Sequence, residues 1–135
     1  MIRLSVWPVR TAFLYLGVGF FIGALMLFEK GAPIDPAFLR LLPMHVEFVL
    51  FGWILQLAMG VAFWILPRFS REPRYGSQRL GWIAYLLLNI GVLSAGVGQW
   101  LNAPPIIPLL GRIAEALAVV FFALHAWPRV KPIGV

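Results

Sequence analysis

The chain alternates four long apolar segments with short polar or proline-containing breaks. The segments cover residues 11–28, 38–66, 80–101 and 109–127, and each is long enough for a helix to cross roughly 30 Å of hydrocarbon at about 1.5 Å per residue. Helix is the expected form because a segment in lipid must satisfy its own backbone hydrogen bonds. The pattern therefore predicts an all-α, polytopic membrane protein, with residues 1–135 forming a single four-transmembrane-helix bundle.

The composition excludes a soluble domain of this size. Apolar residues make up 61% of the 135 residues and charged residues 12%, against roughly 45–50% and about 25% in soluble domains. A small fold has too little interior to bury such an excess of apolar surface. The chain has no cysteine, which rules out a disulfide framework, a thiolate metal site and a cysteine nucleophile. The environment that these features predict is the lipid bilayer.

The net charge of +6 comes from basic residues that are placed unevenly around the four segments. Most of them precede the first segment, follow the second or follow the fourth: Arg3, Arg10, Arg68, Arg71, Arg74, Arg79, Arg129 and Lys131. By the positive-inside rule, both termini then face the cytoplasm (N-in/C-in). The charge thus belongs to membrane topology, and no nucleic-acid partner is expected. The predicted location is the prokaryotic cytoplasmic (inner) membrane, which the chain crosses several times. Contact of the basic loop with anionic lipid headgroups is a second interpretation.

Few ionisable side chains lie inside the predicted spans, where such residues are costly and often functional. They are His45, Glu47, Arg112, Glu115 and His125. His45, near the outer end of the second segment, shares a helix face with Gly52, and Gly60 lies on the same flank. That face has room for a flat, bulky group, and imidazole is a common ligand of haem and metals. A histidine that is hydrogen-bonded across helices is the alternative.

The other ionisable residues have structural interpretations. Glu47 lies about 200° around the helix from His45 and is expected to be a protonated, hydrogen-bonded carboxyl that faces a different neighbour. Arg112 and Glu115 have the i, i+3 spacing of a helical ion pair. Alternatively, Arg112, together with Arg40, binds a carboxylate of a ligand such as a haem propionate. His125 is expected at the inner membrane interface.

Small residues recur at the spacing that lets helices approach closely in lipid. Gly19 and Gly23 form a GxxxG motif in the first segment, Gly91 and Ala95 repeat the spacing in the third, and Gly111 begins a stripe of small residues in the fourth. Packing within the chain is the default interpretation, and a dedicated oligomer interface is the alternative.

Residues 44–68, MHVEFVLFGWILQLAMGVAFWILPR, resemble the second transmembrane helix of the catalytic subunit of haem–copper oxidases, especially in the nitric oxide reductase-like branch. The resemblance implies that His45, and no other residue of the chain, binds the iron of a haem. In a haem b-binding protein, Gly52 and Gly60 would make room for the macrocycle, and Arg112 or Arg40 would hold the propionates. That catalytic subunit has twelve spans in a pseudo-threefold arrangement, so this chain resembles one third of it. A homo-oligomer, with a trimer favoured, and a respiratory-chain partner are therefore implied.

Three functions stay open at the level of the sequence. The first is a haem b-binding membrane protein that transfers electrons or binds a diatomic gas. The second is a copper or zinc site without haem, formed by three His45 side chains on a threefold axis. The third is a non-catalytic scaffold or accessory subunit in which His45 is structural. Enzymatic turnover is not supported, because the sequence lacks the tandem histidines of a copper centre and has too few polar residues in its spans to trace a proton path.

Overall fold

The computed structural model describes residues 3–130 of the chain. In this range it contains no strand and four helices long and apolar enough to cross a membrane: α1 (Arg3–Gly31), α2 (Pro36–Ile65), α3 (Gln78–Trp100) and α4 (Ile106–Arg129). The predicted all-α, four-span fold is confirmed. Lys131, one of the basic residues used for the orientation, lies outside the described residues, and the N-in/C-in orientation stays a prediction.

A buried carboxylate organises the turn between α1 and α2. The side chain of Glu29 is almost fully buried, and its Oε2 accepts hydrogen bonds from the backbone N–H groups of Ile34 at 2.8 Å and Asp35 at 3.0 Å. Asp35 in turn accepts a hydrogen bond from the N–H of Ala37 at 2.8 Å, which caps the first turn of α2. The two acidic residues therefore fix the angle between the helices.

The second helix is not uniform along its length. It begins with a 3-10 turn (Pro36–Leu41), continues as α-helix (Leu42–Glu47), widens into a π-helix (Phe48–Leu55) and returns to α-helix (Gln56–Ile65). A π-helix uses i→i+5 hydrogen bonds, is rare, and is frequently found at functional sites. The widened stretch lies directly after His45, in the helix that carries most of the candidate residues.

Glycines bring the helices into close contact. An added Cβ on Gly111 of α4 would lie 2.9 Å from the backbone oxygen of Gly91 in α3, and one on Gly19 of α1 would lie 2.9 Å from the side chain of Val49 in α2. Larger residues at these positions would push the backbones apart. The small residues thus pack helix against helix inside the chain, which confirms the default interpretation of their spacing.

The core lies where α1, α2 and α3 meet and extends to α4. Its buried apolar members come from every helix: Tyr15, Ile22, Leu41, Phe48, Met59, Ala84, Leu88, Val92 and Ala118. The outward faces are apolar as well, with exposed residues such as Phe21, Leu27, Ile65 and Leu101. Exposed apolar side chains around the whole bundle are what a lipid environment requires.

A buried arginine closes one end of the bundle. The guanidinium of Arg129 donates hydrogen bonds to the backbone oxygens of Phe63, Leu66 and Pro67 at 3.2, 2.7 and 3.0 Å, which are carbonyls at the C-terminal end of α2. Arg129 also lies 3.2 Å from Nε2 of His125. A cation at this position satisfies the free carbonyls and the negative end of the helix dipole.

Candidate functional site

The ring of His45 is held by the first helix. Its Nδ1 lies 2.7 Å from the backbone oxygen of Gly19. A carbonyl oxygen can only accept, so Nδ1 carries the hydrogen, and a neutral ring then has its lone pair on Nε2. Among residues 3–130, that Nε2 has no hydrogen-bond partner. A backbone bond to one ring nitrogen with the other left open is the arrangement that orients histidine as a metal ligand.

An open cavity of about 280 Å³ adjoins the imidazole. It is lined by Gly23, Met26, Leu27, Lys30 and His45. The absence of a side chain at Gly23 is essential for this geometry, because an added Cβ would lie 2.8 Å from Cε1 of the imidazole. The volume is just below the roughly 300–1,000 Å³ of sites that enclose a drug-sized ligand. A ligand larger than this cavity would therefore extend beyond the surface of one chain.

The face of α2 that carries His45 turns mainly toward α1, and its Gln56 also accepts a hydrogen bond from Asn89 of α3 at 2.9 Å. His45 contacts Gly19, the side chain of Gln56 donates a hydrogen bond to the backbone oxygen of Pro8 at 3.3 Å, and Gly60 packs against Pro8 as well. His45, Gly52 and Gly60, which the sequence places on one side of α2, thus all contact α1.

The space beside the two predicted spacer glycines is occupied within the chain. An added Cβ on Gly52 would lie 2.5 Å from the ring of Tyr15, and one on Gly60 would lie 2.9 Å from the side chain of Val9. A macrocycle beside Gly52 would require Tyr15 to move. The open space lies instead beside Gly23, a residue that the sequence analysis treated only as part of a packing motif.

A charged cluster occupies the opposite face of α2. Nη1 of Arg112 lies 2.9 Å from Oε1 and 2.6 Å from Oε2 of Glu47, and 3.2 Å from Oε2 of Glu115. The shortest of these contacts, to Oε2 of Glu47, is an ion pair whose geometry does not meet the criteria of a hydrogen bond. Both carboxylates are buried, whereas the Arg112 side chain is 45% exposed. The cation also lies over the ring of Phe51, 5.6 Å from its centroid.

This cluster settles two structural expectations. The i, i+3 ion pair between Arg112 and Glu115 is confirmed, and Glu47 does point away from His45 toward a different helix. Glu47 is hydrogen-bonded, as expected, and its partner is the Arg112 guanidinium, 65 residues away in the sequence; its protonation stays a prediction. No local spacing pattern in the sequence could have predicted that contact.

The basic residues differ in how free they are to meet a ligand. Arg112 is held by two carboxylates. Arg40, in the last turn of the 3-10 segment that begins α2, is exposed, and its side chain makes no ion pair or hydrogen bond within the described residues. Lys30, which the sequence analysis did not select, lines the cavity beside His45. Lys30 is therefore the cation that the structure places at that cavity, whereas Arg40 is free of internal partners among the described residues.

The second histidine of the chain has no open nitrogen. His125 is buried, its Nδ1 lies 2.9 Å from the backbone oxygen of Ser77, and its Nε2 lies 3.2 Å from a guanidinium nitrogen of Arg129. The carbonyl requires a donor and the guanidinium can only donate, so both ring nitrogens are engaged. Through the contact with Ser77, His125 ties α4 to the start of α3, and its position at the inner membrane interface stays a prediction.

No group of three or more His, Cys, Asp or Glu side chains that could hold a metal ion is present among residues 3–130. Among the described residues, His45 is the one imidazole with an open nitrogen next to a cavity.

Comparison with known proteins gives one family. The family described as "Cytochrome C and Quinol oxidase polypeptide I" matches residues 3–127, nearly the whole chain. No curated protein and no solved structure matches the chain significantly.

Proposed function

Because the chain belongs to the cytochrome c and quinol oxidase polypeptide I family, we propose that it binds haem b through His45 as a small oxidase-like membrane protein. The chain is related to the catalytic subunit of haem–copper oxidases and has four helices long and apolar enough to cross a membrane. The observation that carries the haem proposal is the imidazole itself. Nδ1 donates to the Gly19 carbonyl at 2.7 Å, and Nε2 is free beside a cavity. Bound haem would supply one-electron transfer or binding of a diatomic gas.

The surroundings of His45 fit a haem edge in composition. Met26 and Leu27 offer apolar contact to a porphyrin, and Lys30 and Arg40 are available for its propionates. The sequence also suggested Arg112 for the propionates. Because its Nη1 is held by Glu47 and Glu115, Arg112 would bind a propionate only through the rest of its guanidinium. Gly52 and Gly60 would serve the macrocycle only if side chains of α1 moved away.

We also propose that the functional form is a homo-oligomer, with a trimer favoured. One chain provides a single open imidazole and a cavity too small to enclose a macrocycle. A second chain would cover the exposed side of the haem and could offer a second His45. Three copies would reproduce the twelve spans of the subunit that the chain resembles. This assembly would lie in a prokaryotic cytoplasmic membrane with a respiratory-chain protein as redox partner.

The absorption spectrum of the purified protein tests the haem proposal. Full-length chain from haem-replete cells is expected to show a Soret band that His45→Ala loses. Addition of imidazole to His45→Gly is expected to restore the band, because a free ligand can occupy the space left by the side chain. His125→Gln serves as the matched control, since the ring that it replaces has no open nitrogen.

The other outcomes separate the remaining functions. A colourless preparation with one copper or zinc ion per three chains would favour the three-histidine metal site. A colourless, metal-free protein in which His45→Ala changes nothing would favour a scaffold or accessory subunit. Either result overturns the haem proposal.

A further inference from the structure

Exposed arginines gather at one end of the bundle. Ser5 Oγ donates to the backbone oxygen of Gly60 at 2.7 Å, and Arg129 donates to that of Pro67 at 3.0 Å, so the start of α1, the end of α2 and the end of α4 lie side by side. The His125–Ser77 contact brings the start of α3 to the same end. The exposed arginines at this end are Arg3, Arg68, Arg71, Arg74 and Arg79.

The protein leaves most of this positive charge unneutralised. Glu72 is the acidic residue of the loop between α2 and α3, and it pairs with Arg74 at 3.0 Å. Arg68, Arg71 and Arg79 have no acidic partner among residues 3–130. The remaining acidic residues of the chain belong to the α1–α2 turn or to the Arg112 cluster. Arg3 also has no acidic partner among the described residues, so four exposed guanidinium groups are available to an anionic partner outside the chain.

Tryptophans place these arginines relative to the membrane. Trp7, Trp64 and Trp127 lie at the same end and are 50%, 54% and 81% exposed. Exposed indoles of membrane proteins concentrate at the boundary between hydrocarbon and headgroups. The loop of residues 66–77 lies immediately beyond Trp64 and therefore falls at the depth of the lipid phosphates.

We propose that Arg68, Arg71 and Arg79 form a binding surface for the headgroups of anionic phospholipids. The guanidinium group matches phosphate oxygens with paired N–H donors, and several such groups at headgroup depth add to one another. Arg68 is also held over the ring of Tyr75, 5.5 Å from its centroid, which limits the freedom lost on binding. The surface lies at the opposite end of α1 from the His45 cavity, so it is independent of the haem proposal.

Native mass spectrometry of the full-length protein in detergent tests this surface. The chain is titrated with phosphatidylglycerol and, separately, with phosphatidylcholine, and the two apparent affinities are compared. Wild-type protein is expected to prefer phosphatidylglycerol. The variant R68Q/R71Q/R79Q is expected to reduce that preference by a factor on the order of 10–100. Should this variant fail to fold, R71Q alone removes one of the three cations and is expected to give a smaller drop. Arg71 makes no side-chain hydrogen bond or ion pair within the described residues that this substitution would break.

The pair variant E72Q/R74Q is the matched control. It removes one cation and one anion from the same loop, so the net charge and the lipid preference are both expected to stay as in the wild type. An unchanged preference in R68Q/R71Q/R79Q, or an equal loss in E72Q/R74Q, would overturn the proposal. Displacement of phosphatidylglycerol by equimolar inorganic phosphate would also overturn it, because the surface would then recognise free phosphate rather than a lipid.

Discussion

The orientation of His45 depends on two backbone positions of α1. The carbonyl of Gly19 accepts the hydrogen on Nδ1, and the bare Cα of Gly23 leaves room for the rest of the ring. One residue thus fixes which nitrogen is open, and the other fixes how closely the ring approaches α1. The GxxxG motif of α1 therefore positions the imidazole of His45 in addition to packing α1 against α2.

A side chain at Gly23 is expected to disturb haem binding. In Gly23→Val the new Cβ would lie 2.8 Å from Cε1 and 3.2 Å from Nδ1 of His45, so the ring must turn away from Gly19. Loss of such a supporting contact typically costs a factor of about 10–100 in the affinity of a ligand for its metal. Haem content per chain, measured as the pyridine haemochrome, is expected to fall accordingly.

The matched control for this substitution is Gly17→Val. Gly17 lies on the same helix, and an added Cβ there meets nothing within 4 Å. Equal haem content in the wild type, Gly17→Val and Gly23→Val would show that the close contact between Gly23 and the His45 ring has no influence on haem binding.

Among the side-chain contacts, those between residues close in the sequence could be predicted from their spacing, and those between distant residues could not. The i, i+3 ion pair of Arg112 and Glu115 could be predicted because helix geometry alone brings the two residues together. The contact of Glu47 with Arg112 could not, because it depends on how α2 and α4 are placed around α3. The role of Lys30 was missed for the same reason.

The helices differ in how they depend on their neighbours. In α2, the π-helical stretch and the buried Arg129 at its C-terminal end are both tertiary features. Its sequence reads as one continuous apolar segment and carries no sign of a change in helix type. The pair α3 and α4 is held instead by the direct backbone contact at Gly91 and Gly111.

A single methyl group at Gly111 is expected to separate α3 from α4. The Cβ of Gly111→Ala would lie 2.8 Å from the backbone nitrogen of Ala95 and 2.9 Å from the backbone oxygen of Gly91, neither of which can rotate away. Overpacking of this kind costs about 1–3 kcal/mol in the free energy of unfolding. Denaturant unfolding in detergent micelles, followed by circular dichroism, measures the loss.

Gly17→Ala calibrates that measurement. The alanine gains helix propensity at Gly17 of α1 without meeting a neighbour, and the gain is about 1 kcal/mol. If Gly111→Ala were as stable as Gly17→Ala, the close approach of the two helices would be energetically unimportant.

Over the whole molecule, the apolar surface exceeds what one bundle buries. Only 22% of the most apolar window of α1, and the same share in α4, is buried inside the chain. Lipid covers such surfaces at little cost, so exposure by itself does not define an oligomer. The incomplete cavity at His45 is the feature that a second copy would complete.

A haem-loaded preparation is therefore expected to have the molar mass of three chains in detergent. Light scattering coupled to size exclusion, corrected for bound detergent, gives that mass. His45→Ala is expected to shift the population toward smaller species if the haem bridges subunits. A haem-containing monomer would contradict the trimer while leaving the haem proposal intact.

The sequence by itself determined the class of protein, the four spans and the family. Hydrophobicity along the chain decides whether a segment enters lipid, and each span satisfies its own backbone, so these features need no tertiary information. Only the tertiary structure decided which nitrogen of His45 is open, that Tyr15 and Val9 fill the space beside Gly52 and Gly60, and that Glu47 meets Arg112. Each of these depends on contacts between helices, and the distances and rotations that set them are not encoded in any local spacing.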